Sequence, residues 1–393
     1  MTQAVKINHR ARFIAADRYR THRYASNHPL SIPRVSLTHD LIRAYGAMDD
    51  SEFLQSRQAT DEELGWFHTA DYIAAMQQAE AQGKVKQAWR KQYNLGNLEN
   101  PFFPGFFTTP ATATGGSIQA AEQVLAGNMA FSPAGGMHHA RPGKAYGFCF
   151  FNDAVLATLR LRQAGMRVLY LDIDAHHGDG VEEAFEQDEN VFTCSLHMDT
   201  GYAYPFKGGA VSDIGLHENH LNIPLPRQCH DAEYMRLFEQ LVLPVFLRWQ
   251  PDAIVLQAGT DMLTPDPLGK LCISTQTFLH LIGLVMQHAP KHADHTPRLA
   301  VLGGGGYHPL VLARCWVGLW AALSGRDLAE ELPAQAIALL EEVDWDQDED
   351  EPWYDNLFQR RIDEVISLPV RSEVDQLIET VRQHHPLWQE LNV

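Results

Sequence analysis

Apolar and polar residues alternate along this chain in two registers, and the switches between them outline the fold. Short aliphatic and β-branched runs fall at Met129–Ser132, Val168–Asp172, 191–196, Ala253–Gln257 and Leu299–Leu302. Their lengths are those of buried strands. Between them, Ala, Leu, Arg and Glu recur three and four apart over 116–126, 154–164, 231–243 and Thr275–His288, the pattern of amphipathic helices. Strand and helix in alternation predict an α/β chain with a parallel sheet covered on both faces. No linker interrupts the chain before residue 325. Beyond it, 333–342 reads as a helix with Pro333 at its first position, 344–351 as a solvated acidic loop and 374–383 as a terminal helix. Residues 1–370 are therefore read as one domain and 371–393 as a helical appendage.

Polar clusters follow the strands: 135–139 after the first, 172–179 after the second, His197 and Asp199 after the third, Gly259-Thr260-Asp261 after the fourth and 303–307 after the fifth. The carboxyl ends of a parallel sheet share one edge, where ligands bind. Five clusters are thus expected on one rim.

The densest, YLDIDAHHGDG, packs three aspartates and two histidines after a buried run. Asp174 and His176 stand two apart, so in extended geometry both point the same way. Joined by Asp261 from a neighbouring strand end, they make a three-ligand site for a divalent metal with a position left for water. Zinc suits that set, and iron(II), cobalt and manganese suit it too. His138-His139 offer a general base and an acid, with Asp172 and Asp179 available to fix their tautomers. In LGGGGYHP the glycines let backbone approach a ligand, and Tyr307 can donate to an oxyanion. The lysine and Ser/Thr of a phosphate-cradling loop are absent there. A capped turn, a structural histidine pair or a packing aromatic would explain each cluster singly, but not their convergence. His177 and His197 are read as hydrogen-bonded core residues; His9, His22, His292 and His295 are read as surface residues.

Composition narrows the partners. A net charge of −18 repels nucleic-acid phosphates and would attract a cationic substrate or a basic tail. The cysteines, Cys149, Cys194, Cys229, Cys272 and Cys315, are scattered without a CxxC, which fits core thiols in a reducing compartment. MTQAVKINHRARF lacks the apolar core of a secretory signal, and the apolar segments 241–247 and 253–256 are too short to span a bilayer. A cytoplasmic protein with neither nucleic-acid nor membrane partners is expected.

The stretches GGMHHARPGKAYGFCFFND, VLYLDIDAHHGDGVEEAF, VLQAGTDMLTPDPLG and LGGGGYHPLVLARCW resemble the metal-dependent histone deacetylases. That branch also holds bacterial acetoin-utilisation proteins and acetylpolyamine amidohydrolases. HPLSIPRVSLTHDLI and TDEELGWFHTADYIAAM extend the resemblance over roughly 27–322. It implies an arginase-like three-layer α/β/α fold and zinc-dependent hydrolysis of an N-acyl amide. By position, Asp174, His176 and Asp261 match the zinc ligands, His138 and His139 the catalytic pair with Asp172 and Asp179 behind them, and Tyr307 the residue that polarises the carbonyl. Phe148 and Leu268 match walls of the acyl-lysine tunnel, with Gly147, Glu99, Tyr204 and Gly305 assigned to substrate contact, and Arg34 matches an arginine beneath the site. A structural potassium ion would use Asp172, Asp174, His176, Ser195 and Leu196.

Three departures surround the entrance. Glu99 stands where the family often has aspartate, AYPFKGG replaces the usual aromatic-Pro-Gly rim, and Ala145-Tyr146-Gly147 replaces Ala-Ser-Gly. They bear on the substrate rather than the reaction. The expected activity is deacylation of acylated lysine in a peptide or protein. The alternative is an acetylpolyamine or other small acyl amide, a substrate often served by a homo-oligomer. A binuclear manganese ureohydrolase and an idle acyl-binding scaffold fit the residues less well.

Overall fold

The computed structural model describes residues 7–21, 24, 28–344, 356, 359 and 363–391. Its strands are β1 (Ala11–Ala15), β2 (Phe53–Gln55), β3 (Met129–Ser132), β4 (Val168–Asp172), β5 (Val191–Met198), β6 (His220–Leu225), β7 (Ala253–Gln257) and β8 (Leu299–Leu302). They form one sheet in the order β2-β1-β3-β8-β7-β4-β5-β6, every neighbouring pair parallel.

Successive side chains of a strand point to opposite faces, and here both faces are buried. Leu169 and Leu171 of β4 join Ile254, Leu256 and Val301 in one core. Helices Arg34–Ala44, Thr275–His288 and Pro309–Ser324 cover it through Leu41, Phe278 and Trp316. Val168 and Tyr170 join Val255 and Leu302 in a second core, covered by helices Thr108–Leu125 and Asp153–Gln163. The expected α/β/α layering is present.

The five expected strands are there, β5 running two residues further than read. The helix expected from 116 begins at Thr108, because its first half is buried nearly all round and carries no apolar stripe to read. The helix expected over 231–243 is Asp231–Leu237, a wider turn at Phe238–Val242, then Leu243–Arg248. Pro244 has no N–H for a regular helical bond, and the wider turn accommodates it. Of the acidic run 344–351 only Asp344 lies within the described residues, and His22 lies outside them.

Helix Ser372–His384 buries Val374, Ile378 and Val381, spaced four and three apart, in the first core. Arg371 at its start holds buried Glu233 at 2.6 Å. Ile378→Ala is expected to cost about 3 kcal/mol through the cavity it leaves. A lowered thermal midpoint checks this; an unchanged midpoint would mean that the helix rests on the core without stabilising it.

Candidate active site

The loops that leave β3, β4, β7 and β8 meet at one end of the sheet. Asp153, at the start of its helix, takes the N–H of Gly136 and Met137 at 2.8 Å each and so fixes the loop before the histidines. His138 Nδ1 donates to Asp172 Oδ2 at 2.9 Å, and His139 Nδ1 donates to Asp179 Oδ1 at 2.8 Å. The two Nε2 atoms face each other at 3.0 Å. Two bare lone pairs would repel at that distance, so one proton lies between them.

Burial alone would lower His138, but the charges of Asp172 and Asp174 outweigh it and raise its pKa to about 9. Burial and the neighbouring His138 charge lower His139 to about 3. His138 is thus the cation that donates through Nε2, and His139 is neutral with its Nε2 lone pair facing that proton. Burial would raise Asp179, yet its bond to His139 and the Arg141 charge hold it well below the usual carboxylate range. Arg141 reaches its other oxygen at 2.7 Å.

Asp174, His176 and Asp261 bring their ligand atoms within 4.8 Å of one another. Backbone donors aim both carboxylates: Gly305 N bonds Asp174 Oδ2 at 2.6 Å, and Ala175 N bonds Asp261 Oδ1 at 2.9 Å. His176 Nδ1 lies 2.8 Å from Asp261 Oδ2 and 3.3 Å from Asp174 Oδ1. Burial would lower His176, but its bonds to the two carboxylates raise it to about 10. Burial and then the Asp174 charge push Asp261 up to about 7. Two buried carboxylates and an imidazole nitrogen sharing one point form a donor set short of positive charge, which a divalent cation fits. A Cβ at Gly305 would run into the Asp261 carboxylate, which is why backbone alone passes there.

Tyr307 N donates to Asp266 Oδ2 at 2.7 Å, which fixes where the phenol points. Burial, then the Asp261 and Asp174 charges, raise the phenol well above its ordinary value, so it stays a donor. Arg34 is buried beneath, donating to Gly304 O at 2.8 Å and Gly306 O at 3.2 Å. A cavity of about 390 Å³ joins these groups, lined among others by Glu99, Gly147, Phe148, Tyr204, Leu268 and Gly305.

Some of these substrate assignments take on a different character. Gly305 N is committed to Asp174. Glu99 Oε1 accepts from Gly147 N at 2.7 Å and Tyr204 Oη at 3.1 Å, and Oε2 accepts from Asn94 at 2.8 Å, so the carboxylate braces the tunnel wall. Gly147 and Phe148 both have positive φ, +53° and +68°. A side chain on Gly147 would strike His139 and Tyr204, whereas Phe148 is held in this costly conformation with its ring 6.3 Å from Tyr307.

Asp172 lies opposite Ser195 in the β4–β5 register, with Leu196 next along. Ser195 Oγ donates to His197 Nδ1 at 2.9 Å, and His197 Nε2 donates to Gly209 O at 3.1 Å. His177, 3.2 Å from Glu182, packs tilted against His197 with ring centres 4.4 Å apart, so both are the hydrogen-bonded core histidines expected. His9 and His295 are exposed, and His292 is half-buried. Sequence reading missed Arg141, Asp153 and Asp266 as braces. The first follows the histidine pair by two residues and the last sits in a Pro-Asp-Pro turn, the one local signal either gives.

The histone deacetylase domain model matches residues 28–323. Histone deacetylase 8 of Xenopus tropicalis is 38% identical over 305 residues, 76% of this chain and 80% of that one. The acetoin utilization protein AcuC of Bacillus subtilis is 33% identical over 332 residues, 83% and 85% of the two chains. The crystal structure of an HDAC homologue from Aquifex aeolicus superposes with a TM-score of 0.88 at 39% identity, covering 95% of this chain and 99% of that one. The chain belongs to the histone deacetylase family. It is an enzyme of the hydrolytic deacetylase class, with the deacetylase-like α/β fold and a metal-dependent chemistry. Among the described residues no helix is long and apolar enough to cross a membrane.

Proposed function

We propose that the chain hydrolyses the side-chain amide of acylated lysine, acetyl or similar, in a peptide or protein. Asp174, His176 and Asp261 would hold zinc, with iron(II) as the alternative. When bound, the ion supplies Lewis acidity to the substrate carbonyl and to the attacking water. The His138–His139 pair, oriented by Asp172 and Asp179, takes the proton of the attacking water. Tyr307 Oη donates to the carbonyl oxygen as charge develops on it. The proton then passes to the departing lysine nitrogen. Phe148, Leu268, Tyr204 and Gly147 enclose the aliphatic stem of the lysine, and Glu99 braces that wall.

Potassium would sit at Asp172, Asp174, His176, Ser195 and Leu196, where it offsets buried carboxylate charge. The catalytic domain is read as 1–370, with 371–393 as its helical appendage. The five unpaired cysteines accord with the cytoplasm.

One observation carries this reading: a carboxylate–imidazole–carboxylate triad able to hold a metal adjoins a single cavity that the histidine pair and Tyr307 also line. The test is turnover of a panel of acyl-lysine peptides and acetylpolyamines by metal-loaded protein. Acetyl-lysine peptides are expected to be cleaved, with acyl-length preference reporting tunnel depth. Turnover of polyamines alone would overturn the lysine assignment and leave the amidohydrolase chemistry standing.

A further inference from the structure

The reaction leaves three lysines around the entrance, Lys144, Lys207 and Lys270, without a role. Tyr146 lies beside the tunnel wall, its ring 5.8 Å from Tyr204. Around it stand Lys207 Nζ at 5.7 Å and Lys144 Nζ at 5.8 Å. Lys270 lines the tunnel cavity, and among the described residues its amine is bonded to Pro267 O alone, at 3.1 Å. Among the described residues none of the three lysines has a carboxylate within ion-pair distance. Arg141 also lies over Tyr146, but Asp179 and Glu183 neutralise it at 2.7 and 2.6 Å.

The one carboxylate lining this cavity near the mouth, Glu99, is spent on Gly147, Tyr204 and Asn94. Phe206, 67% exposed beside Tyr204, adds an apolar platform to the rim. Unpaired lysines held together repel one another, and that repulsion is relieved when an anion enters. The whole chain carries −18. Screening limits that wider field to about 8 Å at physiological salt, so the charges nearest the mouth weigh most in what docks there; Lys207 also borders a second groove lined by Glu182, Glu183, Glu186 and Asp213.

We infer that this entrance selects acyl-lysine segments that carry an aspartate or glutamate beside the acylated lysine. The inference rests on the acyl-lysine reading above. Lys144 and Lys207 meet the carboxylate on one side of the tunnel and Lys270 on another, while the peptide lies over Tyr146 and Phe206. The same charges disfavour acetylpolyamines, whose remaining amines are cationic.

The test uses three acetyl-lysine peptides of equal length with acidic, neutral or lysine flanks, together with N-acetylspermidine. The metal-loaded enzyme is expected to favour the acidic over the lysine-flanked peptide by about fivefold in kcat/KM, the scale of two exposed charge pairs. That ratio should shrink towards one in high salt and invert in the Lys144→Glu/Lys207→Glu double variant. Because it is taken within one preparation, partial misfolding of a variant does not move it. Good turnover of the neutral peptide with a ratio near one in wild type, or a ratio unmoved in the double variant, overturns the charge selection and leaves the lysine reading intact. Turnover of N-acetylspermidine without that of any peptide overturns both.

Discussion

Asp261→Asn is expected to lose bound metal and at least about a thousandfold of its deacylase activity, roughly 4 kcal/mol of transition-state stabilisation. The substitution is nearly isosteric, and its amide oxygen can still accept from Ala175 N, so the loop keeps its brace. What disappears is one negative charge from a site whose ligand atoms lie within 4.8 Å of each other. Metal content by atomic spectroscopy reads the loss separately from activity.

A pH dependence follows with a definite sign. In the metal-free protein burial and the Asp174 charge raise Asp261, and the two carboxylates raise His176, so both hold their protons to higher pH than in the unfolded chain. Metal-free stability from these two groups is therefore present at low pH and is lost as pH rises through their raised folded values. Binding a cation expels the protons, so metal affinity should increase over the same range. In Asp261→Asn the Asp261 component of that dependence should vanish. Full metal content and activity in this variant would remove Asp261 from the ligand set.

The parts of this site legible beforehand share a physical reason. Metal and proton-transfer chemistry uses few residue types, and a parallel sheet brings its strand ends to one edge. DIDAHHGDG, MHHA, GTD and GGGGYHP therefore announced both the chemistry and its meeting place. The strands that escaped notice lack such signals. β2 has three residues, β1 carries Arg12 at its second position, and the edge strand β6 contains His220, Asn222 and Pro224. Pairing with the rest of the sheet, rather than local preference, makes them strands. The braces escaped for a related reason. Glu99 finds Gly147 N, and Arg141 finds Asp179, 48 and 38 residues along the chain, so neither contact leaves a local pattern. Glu99 shows the consequence most clearly. From sequence it is a variant substrate contact; in the fold it lines the cavity and its carboxylate also accepts from Gly147, Tyr204 and Asn94.

The histidine pair shows what the fold adds to a motif. HH in sequence leaves the two roles interchangeable. Asp172 is fully buried and also takes the Tyr170 hydroxyl at 2.8 Å, whereas Asp179 shares its charge with Arg141. The less-neutralised carboxylate environment falls to His138, whose pKa is raised, while burial and the His138 charge lower that of His139. Opposite environments on adjacent residues separate acid from base.

Tyr307→Phe is the second large effect expected: kcat should fall about 10²- to 10³-fold while KM and metal content change little. Phenylalanine keeps the ring against Phe148 and the backbone bond to Asp266, so it removes only the hydroxyl. That hydroxyl remains protonated because burial and two carboxylates oppose its ionisation, and a protonated phenol donates best to an oxygen gaining negative charge. A ground-state carbonyl gains little from that donor, hence the burden on kcat. Normal metal content sets this variant apart from Asp261→Asn, whose loss begins at the metal. If Tyr307→Phe kept activity within threefold, oxyanion stabilisation would have to come from elsewhere, and Tyr307 would be a wall of the tunnel like Phe148.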